Sequence, residues 1–495
     1  MSRRDGRALR GREELVADVV VVGSGPAGAV VARELATAGL GVVVVEEGPW
    51  IEAADHPADA LGAMALSYRG MGAQVVLGRA LMPLVQGRRV GGSAAINGAI
   101  CWRLPRDVHA DWVAQDPALA DALPWTELEE VTDRVEAELG VAPTLPEIAG
   151  PKNLLLARGA DALGLAHRPI RRNVRGCAGL GRCLQGCPAG HKQSPEVAQL
   201  PEALARGATL LHDVEVVGLA HARGRVQGVA ARAAGGGTVV VRAPRVVLAA
   251  SAVQTPGLLL ASGLSQGPVG RHFQCHPGVS MAGRFPEVVR AWEGATQGHE
   301  VIGLRREGLK FEALGHPAGV LASRVPGVGR ALGRAVADLD HWADWGVAVR
   351  SRTEGRVRRV LGRTVVTWSP SADDVRQFRR GLQVLGELFL AAGAERVAPH
   401  VAGLPATLAT PAEVAALAQG PRRASAYQGA ITHLFGTCRM GSDPRRAVVR
   451  PDFRHHHVDG LWIADSSVFP SNTGVNPQVS IMALATICAR RMLAA

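Results

Sequence analysis

Lysine and aromatic residues are scarce in this 495-residue sequence, and the patterns that bind nucleic acid are missing as well. Lysine occurs only as Lys152, Lys192 and Lys310, so arginine supplies 52 of the 55 basic residues. The net charge of +11 is spread along the chain rather than concentrated in a basic run, and aromatic residues make up 4%. Because nucleic-acid binders concentrate basic residues or stack bases on aromatic rings, we expect no nucleic-acid partner.

Long apolar runs and an export signal are also missing. The longest apolar stretch, 246–264, is interrupted by Gln254 and Pro256, which makes it too broken for a membrane-spanning helix. Residues 1–16 have the composition of a short polar tail, and the arginine pair near its start is not followed by the apolar region that an export signal needs. We therefore predict a cytoplasmic protein without a membrane span.

A glycine-rich turn lies between two strand-like runs near the start of the chain. Residues 17–22 and 41–45 are apolar runs typical of buried parallel strands, and 29–38 has the pattern of a helix of small residues. The motif residues are Gly23, Gly25, Gly28 and Glu46. In such a unit the glycines permit a tight turn, close approach to a pyrophosphate and close helix packing, while the acid binds a ribose hydroxyl. The sequence therefore predicts a dinucleotide-binding domain of the α/β class.

The rest of the chain alternates between two kinds of sequence pattern, which predicts two domains that are discontinuous in sequence. Further strand-like runs of the first kind occur at 209–211, 215–219, 238–242, 246–249 and 458–464. The segment 277–427 instead combines strand-like runs with a long helix-like run at 372–392. We predict a nucleotide-binding domain of residues 17–276 and 428–495, which includes a cysteine-rich loop at 177–187, and a second domain of residues 277–427.

Five further segments carry motifs that together resemble one enzyme family. They are the small-residue loop 89–98, the strand exit and apolar helix 251–264, the segment 269–277, the histidine-containing segment 433–441 and the segment 458–478. In this order, after the nucleotide motif, they are similar to the glucose–methanol–choline (GMC) oxidoreductases, a family of FAD-dependent alcohol oxidases and dehydrogenases. The resemblance covers nearly the whole chain, with 278–427 as its weakest part. It implies a Rossmann-like FAD-binding domain joined to a discontinuous α+β substrate-binding domain.

The resemblance also implies roles for individual residues. The positions that match the FAD-binding residues of the family are Gly23, Gly25, Gly28, Glu46, Ser93, Asn97, Gly98, Val216 and Asp465. His433 matches the histidine that faces the reactive nitrogen of the flavin, and Asn476 matches its partner. Covalent attachment in this family usually uses a histidine in the loop that corresponds to 89–98. This loop has none, so we expect the FAD to be non-covalent.

Histidine and asparagine suit the oxidation of an alcohol. The reaction removes the hydroxyl proton and a hydride from one carbon, and FAD accepts the hydride. An imidazole with an ordinary pKa of about 6.5 makes His433 a general base, while Asn476 orients the oxygen without becoming charged. We expect FAD-dependent oxidation of a small-molecule alcohol to an aldehyde or ketone. The electron acceptor would be O₂, a quinone or a protein carrier.

Two other functions are compatible with the same scaffold. One is an FAD-containing lyase or decarboxylase that performs no net alcohol oxidation. The other is an electron-transfer protein that binds flavin and a cluster but turns over no alcohol. The pair of His433 and Asn476 favours alcohol oxidation over both.

Three of the seven cysteines lie close together in the sequence, and an odd, scattered set excludes a disulfide framework. Cys177, Cys183 and Cys187 are separated by glycine-containing spacers and followed by a proline, which allows three thiolates to converge. The pattern resembles the loop that holds a 3Fe-4S cluster in sugar dehydrogenases of this family, and a similar loop in long-chain alcohol oxidoreductases. A cluster, a zinc site with a fourth ligand such as His191, and a tight loop with free thiols are all compatible with the sequence.

Overall fold

A six-stranded parallel sheet forms the centre of the nucleotide-binding domain in the computed structural model, which describes residues 2–495. From one edge to the other its strands are Ser2–Asp5, Thr209–His212, Val42–Val45, Val19–Val22, Arg245–Leu248 and Leu461–Ile463. Val19–Val22 and Val42–Val45 are entirely buried. Because successive side chains of a strand point to opposite faces, both faces of this sheet are covered. The predicted α/β class is confirmed.

A seven-stranded sheet forms the centre of the second domain. Its strands are Arg396–Ala398, Gln274–Arg284, Trp342–Val349, Leu309–Leu314, His299–Val301 and His167–Pro169, with Gly429–Phe435 also paired to Gln274–Arg284. A four-stranded sheet consists of Val214–Ala222, Arg225–Ala233, Thr238–Arg242 and Arg12–Val16. Three two-stranded sheets pair Arg356–Val360 with Arg363–Thr367, Val75–Val76 with Met82–Pro83, and Val141–Pro143 with Arg171–Asn173.

Helices connect and cover these sheets. The α-helices are Pro26–Thr37, Ala60–Ser67, Arg106–Gln115, Ala118–Ala122, Trp125–Glu138, Pro146–Ala149, Pro151–Ala162, Gln199–Ala205, Ser251–Ala261, Ala318–Ala322, Arg330–Ala337, Ala372–Ala391, Pro411–Ala415 and Gln478–Leu493. Within residues 2–495, none of the helices combines the length and the apolar composition that crossing a lipid bilayer requires.

The longest helix shows how the sequence determines a local structure. Helix Ala372–Ala391 begins with a capping box, in which Ser371 and Asp374 satisfy each other's backbone N–H groups. On the buried side of this helix, Phe389 stacks on Trp345 with ring centroids 3.8 Å apart and an interplanar angle of 9°. The helix therefore covers the seven-stranded sheet, and the predicted helix-like run is confirmed.

Two expectations from the sequence need correction. Residues 2–16 are not a simple tail, because Ser2–Asp5 and Arg12–Val16 are edge strands of two different sheets. Many of their side chains are polar and exposed, so their composition did not indicate strands. The second domain also extends beyond the predicted 277–427, since His167–Pro169 and Gly429–Phe435 belong to its sheet.

The two N-terminal strands generate a prediction about stability. Deleting residues 2–16 would leave Thr209–His212 and Thr238–Arg242 as new sheet edges with unpaired backbone groups. Because such edges lower stability and template aggregation, we expect a lower Tm and increased light scattering on heating. Arg3→Ala is the control, since it keeps both strands and removes only side-chain contacts at the surface, an ion pair to Glu52 that contributes about 0–1 kcal/mol and a cation–π contact with Trp50. A deletion variant that unfolds like this control would show that the strands are dispensable.

Candidate active site

One cavity of about 1490 Å³ is lined by residues of both domains. Cavities for single small ligands usually measure about 300–1,000 Å³, so this one has room for a dinucleotide together with a second molecule. Eight of the nine predicted FAD-binding residues line it, namely Gly23, Gly25, Glu46, Ser93, Asn97, Gly98, Val216 and Asp465. His433 and Asn476 line the same cavity.

The glycine turn has the geometry that its sequence predicts. Gly23 has a φ of +98°, in the region that favours glycine, and a Cβ there would lie 2.5 Å from the carbonyl oxygen of Ala249. Gly28 does not line the cavity, but a Cβ on it would lie 1.9 Å from the Gly23 carbonyl oxygen, so its role is close packing. Gly25 faces open space, and no side chain caps the helix that starts after it. The backbone N–H groups of this helix terminus are therefore available to a phosphate.

Two buried carboxylates stand beside this turn. Glu46 accepts hydrogen bonds from the backbone N–H of Ser24 at 2.9 Å and of Gly48 at 2.9 Å. Asp465 accepts from the backbone N–H of Ser251 at 3.0 Å and of Ser467 at 2.8 Å. Burial raises the pKa of both carboxyl groups, although these hydrogen bonds oppose the shift. These hydrogen bonds hold each carboxylate rigidly at the wall of the cavity.

The small-residue loop is a short 3-10 helix, Gly92–Ile96, at the wall of the cavity. Ser93 Oγ accepts a hydrogen bond from the Gly87 backbone at 2.9 Å, and the Asn97 amide donates to Gln478 at the start of the last helix. Small side chains and a glycine at 98 let the backbone come close to a planar ligand.

His433 and Asn476 meet in the cavity although 43 residues separate them in sequence. His433 lies in strand Gly429–Phe435. Its Nε2 is 3.4 Å from the Asn476 side-chain nitrogen. Burial and the nearby Lys310 ammonium lower the pKa of His433 to about 3, so its imidazole is neutral at pH 7.

A second histidine, His276, contacts the first. The Nδ1 atoms of His276 and His433 are 3.0 Å apart, so the two rings share one proton. The Nε2 atom of His276 meets a donor, the Gly474 backbone N–H at 3.0 Å, and an acceptor, Asn472 Oδ1 at 3.3 Å. Because that nitrogen is satisfied with or without a proton, the shared proton can reside on either ring. When it resides on His433 Nδ1, the His433 Nε2 lone pair faces the cavity.

Lys310 is a residue of the candidate site that the sequence analysis missed. Its Nζ donates to Asn476 Oδ1 at 2.8 Å and to Glu300 at 2.8 Å, and it also pairs with Glu312. Burial opposes its charge, but the two carboxylates outweigh burial and raise the pKa of Lys310. The ammonium binds the amide oxygen of Asn476, so the amide nitrogen is directed toward His433. The sequence offered one signal, the scarcity of lysine. The chain has only three lysines, and the structure buries all of them.

The sulfur atoms of the three clustered cysteines do not all lie close together in the structure. Arg172 donates one hydrogen bond to Cys183 Sγ at 3.1 Å and another to Cys177 Sγ at 3.7 Å. Across residues 2–495, the one group of three acidic, histidine or cysteine side chains whose ligand atoms lie within 4.8 Å of one another is Asp5, His212 and Asp213. The iron–sulfur cluster and the zinc site completed by His191 therefore stay predictions from the sequence.

The cysteine-rich loop supports the active-site wall. Lys192 donates to the backbone carbonyl of Cys183 at 2.9 Å and to that of Ala95 in the small-residue loop at 2.7 Å. Burial raises the pKa of Cys183, but the charges of Arg172 and Lys192 outweigh burial and lower it overall. The buried ammonium of Lys192 thus holds the backbone of the cysteine-rich loop to the backbone beside Asn97.

Comparisons with known proteins agree with this arrangement. Residues 17–278 and 351–485 match the N- and C-terminal family models of the GMC oxidoreductases. The chain is 39% identical over 485 residues to an uncharacterized GMC-type oxidoreductase of Mycobacterium tuberculosis, covering 97% of this chain and 76% of the relative. It is 26% identical over 499 residues to a long-chain-alcohol oxidase of Arabidopsis thaliana, covering 94% and 67%.

Solved structures show the same fold at lower identity. Pyridoxine 4-oxidase from Mesorbium loti superposes with a TM-score of 0.73 at 19% identity, covering 97% of this chain and 99% of that one. A formate oxidase variant from Aspergillus oryzae gives a TM-score of 0.71 at 16% identity, covering 97% and 98%. With both family models and a 39% identical relative in agreement, the chain belongs to the GMC oxidoreductases, a family of FAD-binding flavoproteins.

Proposed function

We propose that this protein binds FAD non-covalently and oxidises an alcohol to an aldehyde or ketone. The observation that carries the proposal is the meeting of His433 and Asn476 in the cavity that the glycine turn also lines. The long-chain-alcohol oxidases of Arabidopsis thaliana among its relatives support oxidation of alcohols.

The residues present fit FAD. The uncapped helix terminus after Gly25 would receive the pyrophosphate, Glu46 a ribose hydroxyl, and the backbone near Val216 the adenine. Ser93, Asn97, Gly98 and Asp465 would contact the flavin portion. FAD supplies the acceptor for the hydride of the substrate.

The side chains of the protein handle the proton. His433 Nε2 accepts the hydroxyl proton when the proton that it shares with His276 lies on His433 Nδ1. The amide nitrogen of Asn476 donates a hydrogen bond to the substrate oxygen, and Lys310 keeps that amide oriented. The Lys310 ammonium also stabilises negative charge that develops on this oxygen. A positioned base of this kind contributes about 10²–10⁴-fold.

The electron acceptor is proposed to be a two-electron oxidant, either O₂ or a soluble quinone. The cysteine-rich loop provided the reason to expect an electron carrier that takes electrons one at a time. The three sulfurs do not all lie close together in the structure, which favours an acceptor that takes two electrons.

Cofactor analysis tests the first part of the proposal. Denaturing the purified yellow protein should release about one FAD per chain, and iron after anaerobic reconstitution should stay below about 0.3 per chain because the thiols do not converge. Flavin would be quantified by absorbance and chromatography, and iron by elemental analysis. Release of FMN, or of no flavin, would refute the FAD proposal, and about three irons per chain would support the cluster.

The assigned base can be tested by substitution. His433→Ala should retain FAD while slowing flavin reduction by an alcohol by about two to four orders of magnitude, because the proton acceptor is lost. Asn476→Ala should slow it less, since only orientation is removed. Rates would be measured anaerobically by stopped-flow absorbance. His457→Ala, an exposed histidine outside the cavity, is the matched control. Reduction of His433→Ala at the control rate would show that another group accepts the proton.

The charge of Lys310 generates a prediction about pH. His433 must be neutral to accept a proton, and a pKa of about 3 keeps it neutral at every pH above about 4. Flavin reduction by the wild type should therefore be independent of His433 ionisation between about pH 5 and 8. Lys310→Met removes the repelling charge and leaves Glu300 and Glu312, so the pKa of His433 should rise above about 3, while burial, the larger cause of its low pKa, still holds it below about 6.5.

The variant should then lose rate as the pH falls, because protonated His433 cannot accept a proton. Lys310→Arg keeps the charge and should retain the flat profile. FAD content and Tm are measured for each variant, so that loss of fold is distinguished from a shifted pKa. Identical profiles for the Met and Arg variants would contradict the electrostatic role of Lys310.

A further inference from the structure

A polar group lies on the second-domain side of the cavity, away from His433. Arg324, His316 and Ser280 line the cavity there, and Asp344 lies behind them with 0% exposure. Arg324 donates to Ser280 Oγ, which donates to Asp344 at 3.3 Å. His316 Nε2 is 3.1 Å from the same carboxylate oxygen, and Arg324 Nε is 3.6 Å from it. We call these four residues the Arg324 group.

The Arg324 group has more donors than acceptors. Two basic side chains, Arg324 and His316, share the single carboxylate of Asp344. Burial raises the pKa of Asp344, but His316 and Arg324 outweigh burial and lower it, so this acid stays ionised. The buried Nε of Arg324 and the buried Oδ1 of Asp344 both lack a hydrogen-bond partner within residues 2–495. Arg324 and His316 line the cavity while Asp344 lies behind them, so the group presents two basic side chains to the cavity and no acid.

The position of the group relative to His433 follows from the strand register. His276, which contacts His433, and Ser280 lie four residues apart on strand Gln274–Arg284. At about 3.4 Å per residue, the two positions are about 14 Å apart. The sheet surface between them carries only small side chains, since Gly278 pairs with Ala348 and Ser280 with Gly346. This surface offers room to a molecule that spans the two ends, and the one carboxylate at its edge, Glu312, is paired with Lys310.

We propose that the Arg324 group binds a carboxylate at the far end of the substrate, so that the substrate is an alcohol with an apolar middle and an anionic end. This inference rests on the proposed alcohol oxidation for the reacting end. A carboxylate supplies the missing second acid, and guanidinium groups bind carboxylates through paired hydrogen bonds. A plain alcohol would leave the Arg324 donors unpaired, and an ammonium would be repelled by them.

The first test compares substrates that differ only at the far end. Anaerobic flavin reduction is measured with 12-hydroxydodecanoate, 1,12-dodecanediol and 12-amino-1-dodecanol. We expect an apparent Kd at least about tenfold lower for the hydroxy acid than for the diol, and the amino alcohol to bind most weakly. 6-Hydroxyhexanoate, which is too short to reach both ends, should lose this advantage. Equal apparent Kd values for the hydroxy acid and the diol would overturn the proposal.

Substitution of Arg324 provides the second comparison. Arg324→Met should remove the preference for the hydroxy acid over the diol, while Arg324→Lys should keep part of this preference because it keeps the charge. Arg334→Met, which changes an exposed arginine outside the cavity, is the control. If Arg324→Met binds too little FAD to be assayed, Arg324→Lys is compared with wild type instead. A preference for the hydroxy acid that is undiminished in Arg324→Lys, or that is lost equally in the Arg334→Met control, would refute the assignment.

A binding measurement separates this inference from the proposed oxidation. Dodecanoate has no hydroxyl to oxidise, and its binding to the FAD-loaded protein is measured by calorimetry. We expect its Kd to rise at least about tenfold in Arg324→Met but not in Arg334→Met. Binding that depends on Arg324 without any alcohol oxidation would refute the proposed function and leave the carboxylate site standing. Alcohol oxidation with equal dodecanoate binding in wild type and Arg324→Met would refute the carboxylate site and leave the proposed function standing.

Discussion

The active site depends on the neutralisation of one buried charge. The ammonium of Lys310 is 1% exposed, and a buried charge without partners costs several kcal/mol. Its carboxylate partners come from strands His299–Val301 and Leu309–Leu314, so these strands must lie in one register for the pairs to form. Its third contact, Asn476, comes from the other domain. Pairing of the strands, docking of the domains and orientation of the amide are therefore consequences of the same interaction.

The nucleotide half of the site was predictable because its information is local. The residues from Val19 to Glu46 form one strand–turn–helix–strand unit, and the spacing of its glycines encodes contacts between neighbours in sequence. Gly28 illustrates this, since the atom that excludes a side chain there belongs to Gly23, five residues earlier. The strand boundaries and the α/β class followed from the same short-range patterns.

The catalytic half was predictable only in part, because its contacts join distant segments. His433 could be singled out from its motif, but its strand pairing with Gln274–Arg284, about 157 residues away, leaves no trace in its immediate neighbours. Lys310 acts through Glu300 and Asn476, and no pattern links these positions. The cysteine cluster stays a prediction for a related reason. Thiol spacing showed that three sulfurs could converge, but not that the Arg172 guanidinium contacts two of them.

The burial of every lysine has a consequence for the chemistry of the protein surface. Lys152, Lys192 and Lys310 are 0%, 1% and 1% exposed, so the folded protein offers no lysine side chain to acylating reagents or amine-directed cross-linkers. Acylation of a lysine then requires the surrounding structure to open. Each lysine reports a different region, since Lys152 bonds the Glu293 carbonyl, Lys192 fastens the small-residue loop and Lys310 lies beside Asn476. Mass-spectrometric detection of acylated lysines would thus map local unfolding of three separate parts of the molecule.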